Sequence, residues 1–209
     1  MTNPTRTINL GFTPERFSEG CHMCYIYNDE IERREVMARF IESGVADGEY
    51  VFYLVDSMPK AEMQAHLQQM GIHLPPAADE RRFDVLQAET TYCPEHAFSP
   101  ETMLDTLKSL YEQSVADGFA GCRGMGEMTW ALRGIPGSER LVEYESRINI
   151  VVRTHPLTAI CQYDASRFDG ATIFNILSVH PMMVVRGQVV KNPYYIPPEE
   201  FLARHAVTV

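Results

Sequence analysis

Cys21-His22-Met23-Cys24-Tyr25-Ile26-Tyr27-Asn28-Asp29-Glu30-Ile31-Glu32-Arg33 reads as a buried strand, a turn and the opening of a helix. In nucleotide-binding α/β proteins such a junction carries glycines that cradle phosphate at the helix N-terminus. Here it carries Asn28, Asp29, Glu30 and Glu32, with no glycine and no Lys-Ser/Thr pair. Carboxylates beside a helix N-terminus satisfy its dipole themselves and repel a triphosphate. ATP is therefore not expected to bind, although the fold is one that ATPases use. His22 and Cys24 sit just upstream, two residues apart and so on one strand face.

Outward from that stretch, strand and helix patterns alternate almost without break. A strand over Cys21 to Asn28 leads into a helix from Asp29 to Ser43, with Val36, Met37, Phe40 and Ile41 on one face and Gly44 as its stop. Tyr50 to Val55 is a continuous apolar run, as expected of a strand covered on both faces. Ser57 is placed to cap a helix through Met70, with Pro59 in its first turn and Gly71 after it. Phe83 to Leu86 is a short strand. Ser99-Pro100-Glu101 opens a helix with Met103, Leu107 and Leu110 on one face, and Gly118 follows.

Cys122 to Met125 has a strand pattern weakened by glycine, and the segment on to Trp130 reads as a loop. A helix over Ser138 to Val152, a strand over Leu157 to Tyr163 and a helix over Asp169 to Val179 follow. Val184 to Val190 resembles a hairpin with Gly187-Gln188 in a type II′ turn, and Pro197-Pro198-Glu199-Glu200 starts a last helix. Alternating units with short connections indicate an α/β fold: a mostly parallel sheet with helices on both faces. Ligands of such sheets bind at the carboxyl ends of the strands, which selects the surroundings of Tyr27, Asp56, Arg123 to Trp130 and Gln162 to Asp164.

Length and composition narrow the function classes. The 209 residues suit one domain, 1–209, and 45% hydrophobic with 22% charged residues is ordinary for a globular chain. A formal charge of −10 without a basic cluster argues against direct nucleic-acid contact and against an anionic membrane surface. No apolar run reaches the roughly 18 residues a membrane span needs. Met1 to Thr7 lacks the apolar core of a signal peptide, so a cytoplasmic protein with reduced thiols is expected. Cys21-x-x-Cys24 has redox spacing, but an odd step in a strand puts the two thiols on opposite faces. The eleven methionines suggest an adaptable interior.

Gly20-x-His22-x-Cys24-x-x-Tyr27 followed by an acidic helix resembles the opening motif of MEDS domains, the sensory domains named for methanogens, methylotrophs and DcmR. Arg123-Gly124-Met125-Gly126-Glu127-Met128-Thr129-Trp130, Tyr144-Glu145, Cys161-Gln162-Tyr163-Asp164, His180-Pro181 and Asn192-Pro193-Tyr194-Tyr195 extend the likeness over roughly residues 10 to 205. The resemblance implies a RecA-like or KaiC-like core with a degenerate phosphate loop. It implies a role in sensing small hydrocarbon-derived molecules for a signalling output. Such domains often accompany a DNA-binding, kinase or anti-sigma module, so the output here is expected to pass through a separate signalling or regulatory protein.

The strand-end rule and these motifs together name His22, Cys24, Tyr27, Arg123, Glu127, Trp130 and Tyr163 as candidates to line a small-molecule site. Arg123 and Glu127 could read a polar ligand bidentately or pair with each other to organise a loop under Trp130. Glu145, amid apolar helix positions, either faces a pocket or pairs with Arg123 or Arg147, the structural pair being preferred. In the alternative reading, a metal-binding sensor or metal-dependent enzyme, His22 and Cys24 ligate a borderline metal together with Cys161, His180 or Cys122. No Gly-x-Ser-x-Gly elbow, HExxH or phosphate loop is present, so a non-enzymatic sensor is the leading expectation.

Overall fold

Asp29 decides where the first long helix starts. Its carboxylate accepts the N–H groups of Ile31 and Glu32 at 2.8 and 3.1 Å, a cap that stabilises a helix by about 1 kcal/mol. The computed structural model describes residues 6–69 and 83–205. In it, strand β3 (His22–Tyr27) runs into helix α1 (Glu30–Ala46) across this cap. The helix continues through Gly44 instead of stopping there. A Cβ on Gly44 would lie 2.6 Å from Arg123 Cδ and 2.8 Å from Val51 Cγ2, so glycine serves close packing at that position. The reversal falls at Gly48, whose φ of +74° suits a residue without a side chain.

Two short strands, β1 (Thr7–Asn9) and β2 (Arg16–Ser18), precede β3 and pair antiparallel with each other. Their three-residue length explains why no periodicity announces them. After α1 come β4 (Tyr50–Val55), α2 (Lys60–Gln69), β5 (Phe83–Gln87), a short α3 (Ala88–Tyr92) and α4 (Pro100–Ala116). The expected end of α2 at Met70 and Gly71 lies outside the described residues. Helix α4 starts as its sequence indicates, with Ser99 Oγ accepting the Thr102 N–H at 3.3 Å. Then follow β6 (Cys122–Glu127), α5 (Leu141–Val151), β7 (Thr158–Asp164), α6 (Gly170–Val179), β8 (Met182–Val185), β9 (Gln188–Lys191) and α7 (Pro198–His205).

Seven strands form the main sheet in the order β5-β4-β6-β7-β3-β8-β9, all parallel except the antiparallel β8–β9 hairpin. The hairpin turn is Arg186-Gly187, with φ of 49° and 68°. Two successive positive φ values make it a type I′ turn, one residue earlier than the expected Gly187-Gln188. Helices α1 and α2 cover one face, where Val36, Met37, Phe40, Met63 and Leu67 meet Met23, Val51, Met125 and Ile160. Helices α4, α5 and α6 cover the other, where Met103, Leu107, Tyr144, Ile148 and Ile176 meet Phe52, Leu54 and Cys161.

The weak strand pattern over Cys122 to Met125 is a buried strand that runs on to Glu127, so Gly126 and Glu127 belong to it and not to a loop. Its glycines are what let it be central. A Cβ on Gly124 would run into the Phe52 ring and one on Gly126 into the Tyr92 hydroxyl, so both positions hold space for aromatic neighbours. Glycine lowers a strand's sequence pattern while allowing that close approach, which is why the pattern misleads here. As a consequence Arg123 and Glu127 stand near opposite ends of one strand, with Arg123 at the amino end.

Candidate functional site

Side chains alternate along the central strands, so polar residues from the same strands are dealt to both faces of the sheet. Two buried polar centres result. In β7, Gln162 faces α1, while Cys161 and Tyr163 face α5 and α6.

The first centre lies at the carboxyl edge, on the α1 side. Glu127, the last residue of β6, accepts hydrogen bonds from Tyr53 Oη at 2.6 Å, Arg33 Nη1 at 3.0 Å and Ser57 Oγ at 3.1 Å on one oxygen. Its other oxygen accepts the N–H groups of Asp56 and Ser57 at 2.7 and 2.6 Å. Ser57 is thus committed to Glu127, and α2 begins three residues later without it. Arg33 also donates to Gln162 Oε1 at 2.9 Å and forms a two-pronged pair with Glu30. Tyr27 lies over the guanidinium, with Arg33 Cζ 5.1 Å from its ring centre. Asp56 accepts from Thr129 and Arg133 at 2.6 and 2.7 Å. Burial acts to lower the Arg33 guanidinium, but Glu30, Tyr53 and Glu127 outweigh it and hold the group above its ordinary range. The Tyr53 hydroxyl is pushed up by burial and then by the Glu127 charge, so it stays a donor.

In chemical terms the helix N-terminus is capped by Asp29, and the buried cation is spent on Glu127 and Glu30. Every charge near the strand ends that is named here already has a partner of opposite sign or a backbone donor. An incoming phosphate would have to displace carboxylates from both.

The second centre lies on the other face, between β3, β7, α5 and the end of α6. One ligand atom from each of His22, Glu145, Cys161 and His180 lies within 4.8 Å of the other three, and all four residues are buried. His22 Nε2 is 3.1 Å from Glu145 Oε2 and 3.5 Å from Cys161 Sγ. Tyr163 donates to Glu145 Oε1 at 2.6 Å. Burial, reinforced by His180, lowers the His22 imidazolium against the pull of Glu145. Burial would raise the Glu145 carboxyl, but the two histidines outweigh it and hold the group well below the usual carboxylate range. The Cys161 thiol is raised by burial and by Glu145. Imidazole, carboxylate and thiol at such spacing could hold a borderline metal ion or exchange protons with one another.

The candidates named from sequence divide between these centres. His22 and Tyr163 belong to the second, and Tyr27 and Glu127 to the first. Cys24 shares the face of His22, but its Sγ points to the Met182 carbonyl at 3.8 Å, and burial pushes its thiol up to about 12. Of the proposed metal set, His22, Cys161 and His180 come together, with Glu145 where Cys24 was expected. Arg123 is at neither centre. Its buried guanidinium pairs with Glu49 and donates to Phe40 O at 3.1 Å and Ser43 Oγ at 2.8 Å. Glu145 therefore pairs with histidines, not with an arginine, and Arg147 turns outward to Glu101 and Glu143. Trp130 is enclosed by Tyr92, stacked at 4.8 Å, and by Phe98 at 4.7 Å. Arg33, Tyr53 and Asn149 are not singled out by the sequence, although Arg33 closes the Cys21–Arg33 stretch; Gln162 falls in the Gln162 to Asp164 segment that the strand-end rule selects.

The sequence model of the MEDS domain (methanogen/methylotroph, DcmR sensory domain) matches residues 21–181, most of the chain. The chain belongs to the MEDS family. The transcriptional repressor DcmR of Methylorubrum extorquens is 24% identical over 162 residues, covering 76% of this chain and 57% of that protein. This MEDS chain thus spans little more than half the length of that relative. A KaiC-like protein from the archaeon Pyrococcus horikoshii OT3 superposes with a TM-score of 0.59 at 13% identity, over 86% of this chain and 80% of the other. That likeness shows the fold: this chain has the KaiC-like, RecA-like sheet. Among the described residues of this MEDS domain, no helix is long and apolar enough to cross a membrane.

Proposed function

We propose that this MEDS domain is a non-enzymatic cytoplasmic sensor that binds a small hydrocarbon-derived ligand and acts on transcription through a separate regulatory protein. The observation that supports the non-enzymatic part is the closure of the carboxyl edge by the protein's own charges. Glu127, where an ATPase of this architecture would hold magnesium, spends both oxygens on five internal donors. The regulatory part is supported by family membership and by likeness to a transcriptional repressor. Action through a partner, not on DNA directly, agrees with a net charge of −10.

The ligand site proposed is built on β3, β6 and β7, with His22, Cys24 and Tyr163 on one sheet face and Tyr27 and Glu127 on the other; Tyr27, Glu127 and Tyr163 stand at or next to the carboxyl ends of their strands, and His22 opens β3. Trp130 supplies an apolar wall beneath the site. Arg123 contributes from a distance, by holding α1 to β6.

A phosphate-release assay with the full chain, ATP and magnesium tests the non-enzymatic reading. No release above the buffer blank is expected. Turnover that disappears in Glu127→Gln would overturn it, because that dependence excludes a contaminating ATPase.

A further inference from the structure

The second polar centre has an electrostatic imbalance that its hydrogen bonds do not resolve. Asn149 Nδ2 faces three carbonyls, those of Val179, Glu145 and Ser146, at 2.8, 3.2 and 3.2 Å. Three acceptors around one end of the amide assign that end as the NH2 group and leave Oδ1 toward His22 Nδ1, 3.2 Å away. His22 Nδ1 must then carry the proton. His180 Nδ1 lies 2.8 Å from the Ile176 carbonyl and must carry its proton too. In both neutral imidazoles the remaining nitrogen, Nε2, is therefore a bare lone pair. The His22 lone pair faces Glu145 Oε2 at 3.1 Å and Cys161 Sγ at 3.5 Å, and His180 Nε2 lies beside the same carboxylate.

His180 Nε2 sits 3.2 Å from Glu145 Oε2, yet off the line that a hydrogen bond requires, and it has no hydrogen-bond partner although fully buried. A proton on one ring pairs it with Glu145 but leaves the other Nε2 lone pair beside the same carboxylate, and protonating both rings would place two imidazolium ions with centres 4.2 Å apart in a fully buried position. A cation among the four atoms removes the conflict.

We propose that His22 Nε2, Glu145 Oε2, Cys161 Sγ and His180 Nε2 form a closed four-coordinate site for a borderline divalent transition-metal ion of the zinc type. Around a tetrahedral zinc ion, ligand atoms of these kinds sit roughly 3.3–3.6 Å apart. Three of the six separations, 3.1, 3.2 and 3.5 Å, come within a few tenths of an ångström of that figure, and all six lie within 4.8 Å. Binding releases the Cys161 thiol proton. The ion's two positive charges then meet one carboxylate, one thiolate and two neutral imidazoles, so the buried site is neutral overall. The outer shell is in place as well: Asn149 and the Ile176 carbonyl orient the two rings, and Tyr163 holds the other Glu145 oxygen. The inference does not rest on the sensor reading, since an ion with four protein ligands is resident whether or not the domain answers to a small molecule.

The test uses the full chain made without an affinity tag, from medium supplemented with zinc or with cobalt, and measures metal by elemental analysis. About one equivalent per chain is expected, falling to about a tenth or less in Cys161→Ser and Glu145→Gln and unchanged in Cys93→Ala. The cobalt protein should show a thiolate-to-cobalt charge-transfer band that Cys161→Ser abolishes. If those variants do not fold, Tyr163→Phe decides. It removes one hydroxyl and should weaken metal retention against a chelator about 10- to 100-fold. Less than about a tenth of an equivalent in the wild-type chain from both media would overturn the proposal. So would equal metal content in the ligand variants, or retention indifferent to Tyr163→Phe.

Discussion

Glu127→Gln is expected to destabilise the domain by about 3–5 kcal/mol, the range for removing one partner of a buried ion pair. The amide keeps the volume of the side chain, so packing is not the cause. Glu127 and Arg33 are both almost wholly inside, joined at 3.0 Å. Without the carboxylate, Arg33 keeps the neutral Gln162 and Tyr53 and, as its charged partner, Glu30, which is partly exposed and therefore screened. The amide nitrogen would also face either the Tyr53 hydroxyl or the N–H groups of Asp56 and Ser57, donor against donor. Urea unfolding measures the effect as a lower midpoint at unchanged slope. A loss under about 1 kcal/mol would mean that the network at the carboxyl edge is not what holds the strand ends together.

Arg123→Met carries a comparable expected cost, about 3–5 kcal/mol, for the same reason at the opposite end of β6. Glu49 is fully buried and would be left with Arg6, a half-exposed side chain, as its remaining partner. Two further acceptors, the Phe40 carbonyl and Ser43 Oγ, lose their donor from Nη1. Arg123→Lys should not rescue, because one ammonium cannot reach Glu49 and both α1 acceptors as the planar guanidinium does. Adding Glu49→Met to Arg123→Met should recover much of the loss, since a buried pair replaced on both sides by apolar groups is often close to neutral. Additive losses in the double variant would contradict this account of Arg123.

How much of this was legible in the chain depends on the distance over which each feature is encoded. The β3–α1 junction is local: the apolar run, the Asp29 cap and the Val36-Met37-Phe40-Ile41 face lie within twenty residues and appear as read. Helix α4 is likewise announced by Ser99 and Pro100. Glycine misled in both directions. Gly44 reads as a helix stop but marks where Arg123 presses on α1, and Gly124 and Gly126 hide a central strand because their neighbours supply the bulk. Arg186 takes a positive φ that its residue type does not advertise.

For the candidate centres, the strand period alone puts His22 and Cys24 on one face. The partners cannot be reached that way. Glu145 meets His22 across 123 positions, and Arg33 meets Glu127 across 94. Arg33 looks like a solvated first-turn residue until the sheet order brings β6 and β7 beneath it. Glu145 looks like a carboxylate in want of an arginine until α6 delivers His180.

Asp29, Glu30, Arg33 and Glu127 close the phosphate end of this KaiC-like fold with the protein's own charges. Titrating the full wild-type chain with ATP and magnesium in a calorimeter tests this closure most directly. No saturable heat is expected up to about millimolar nucleotide, an affinity no better than about −4 kcal/mol. Binding at micromolar concentration would contradict it, because the Asp29 cap and the Arg33–Glu127 pair would then have to open for phosphate.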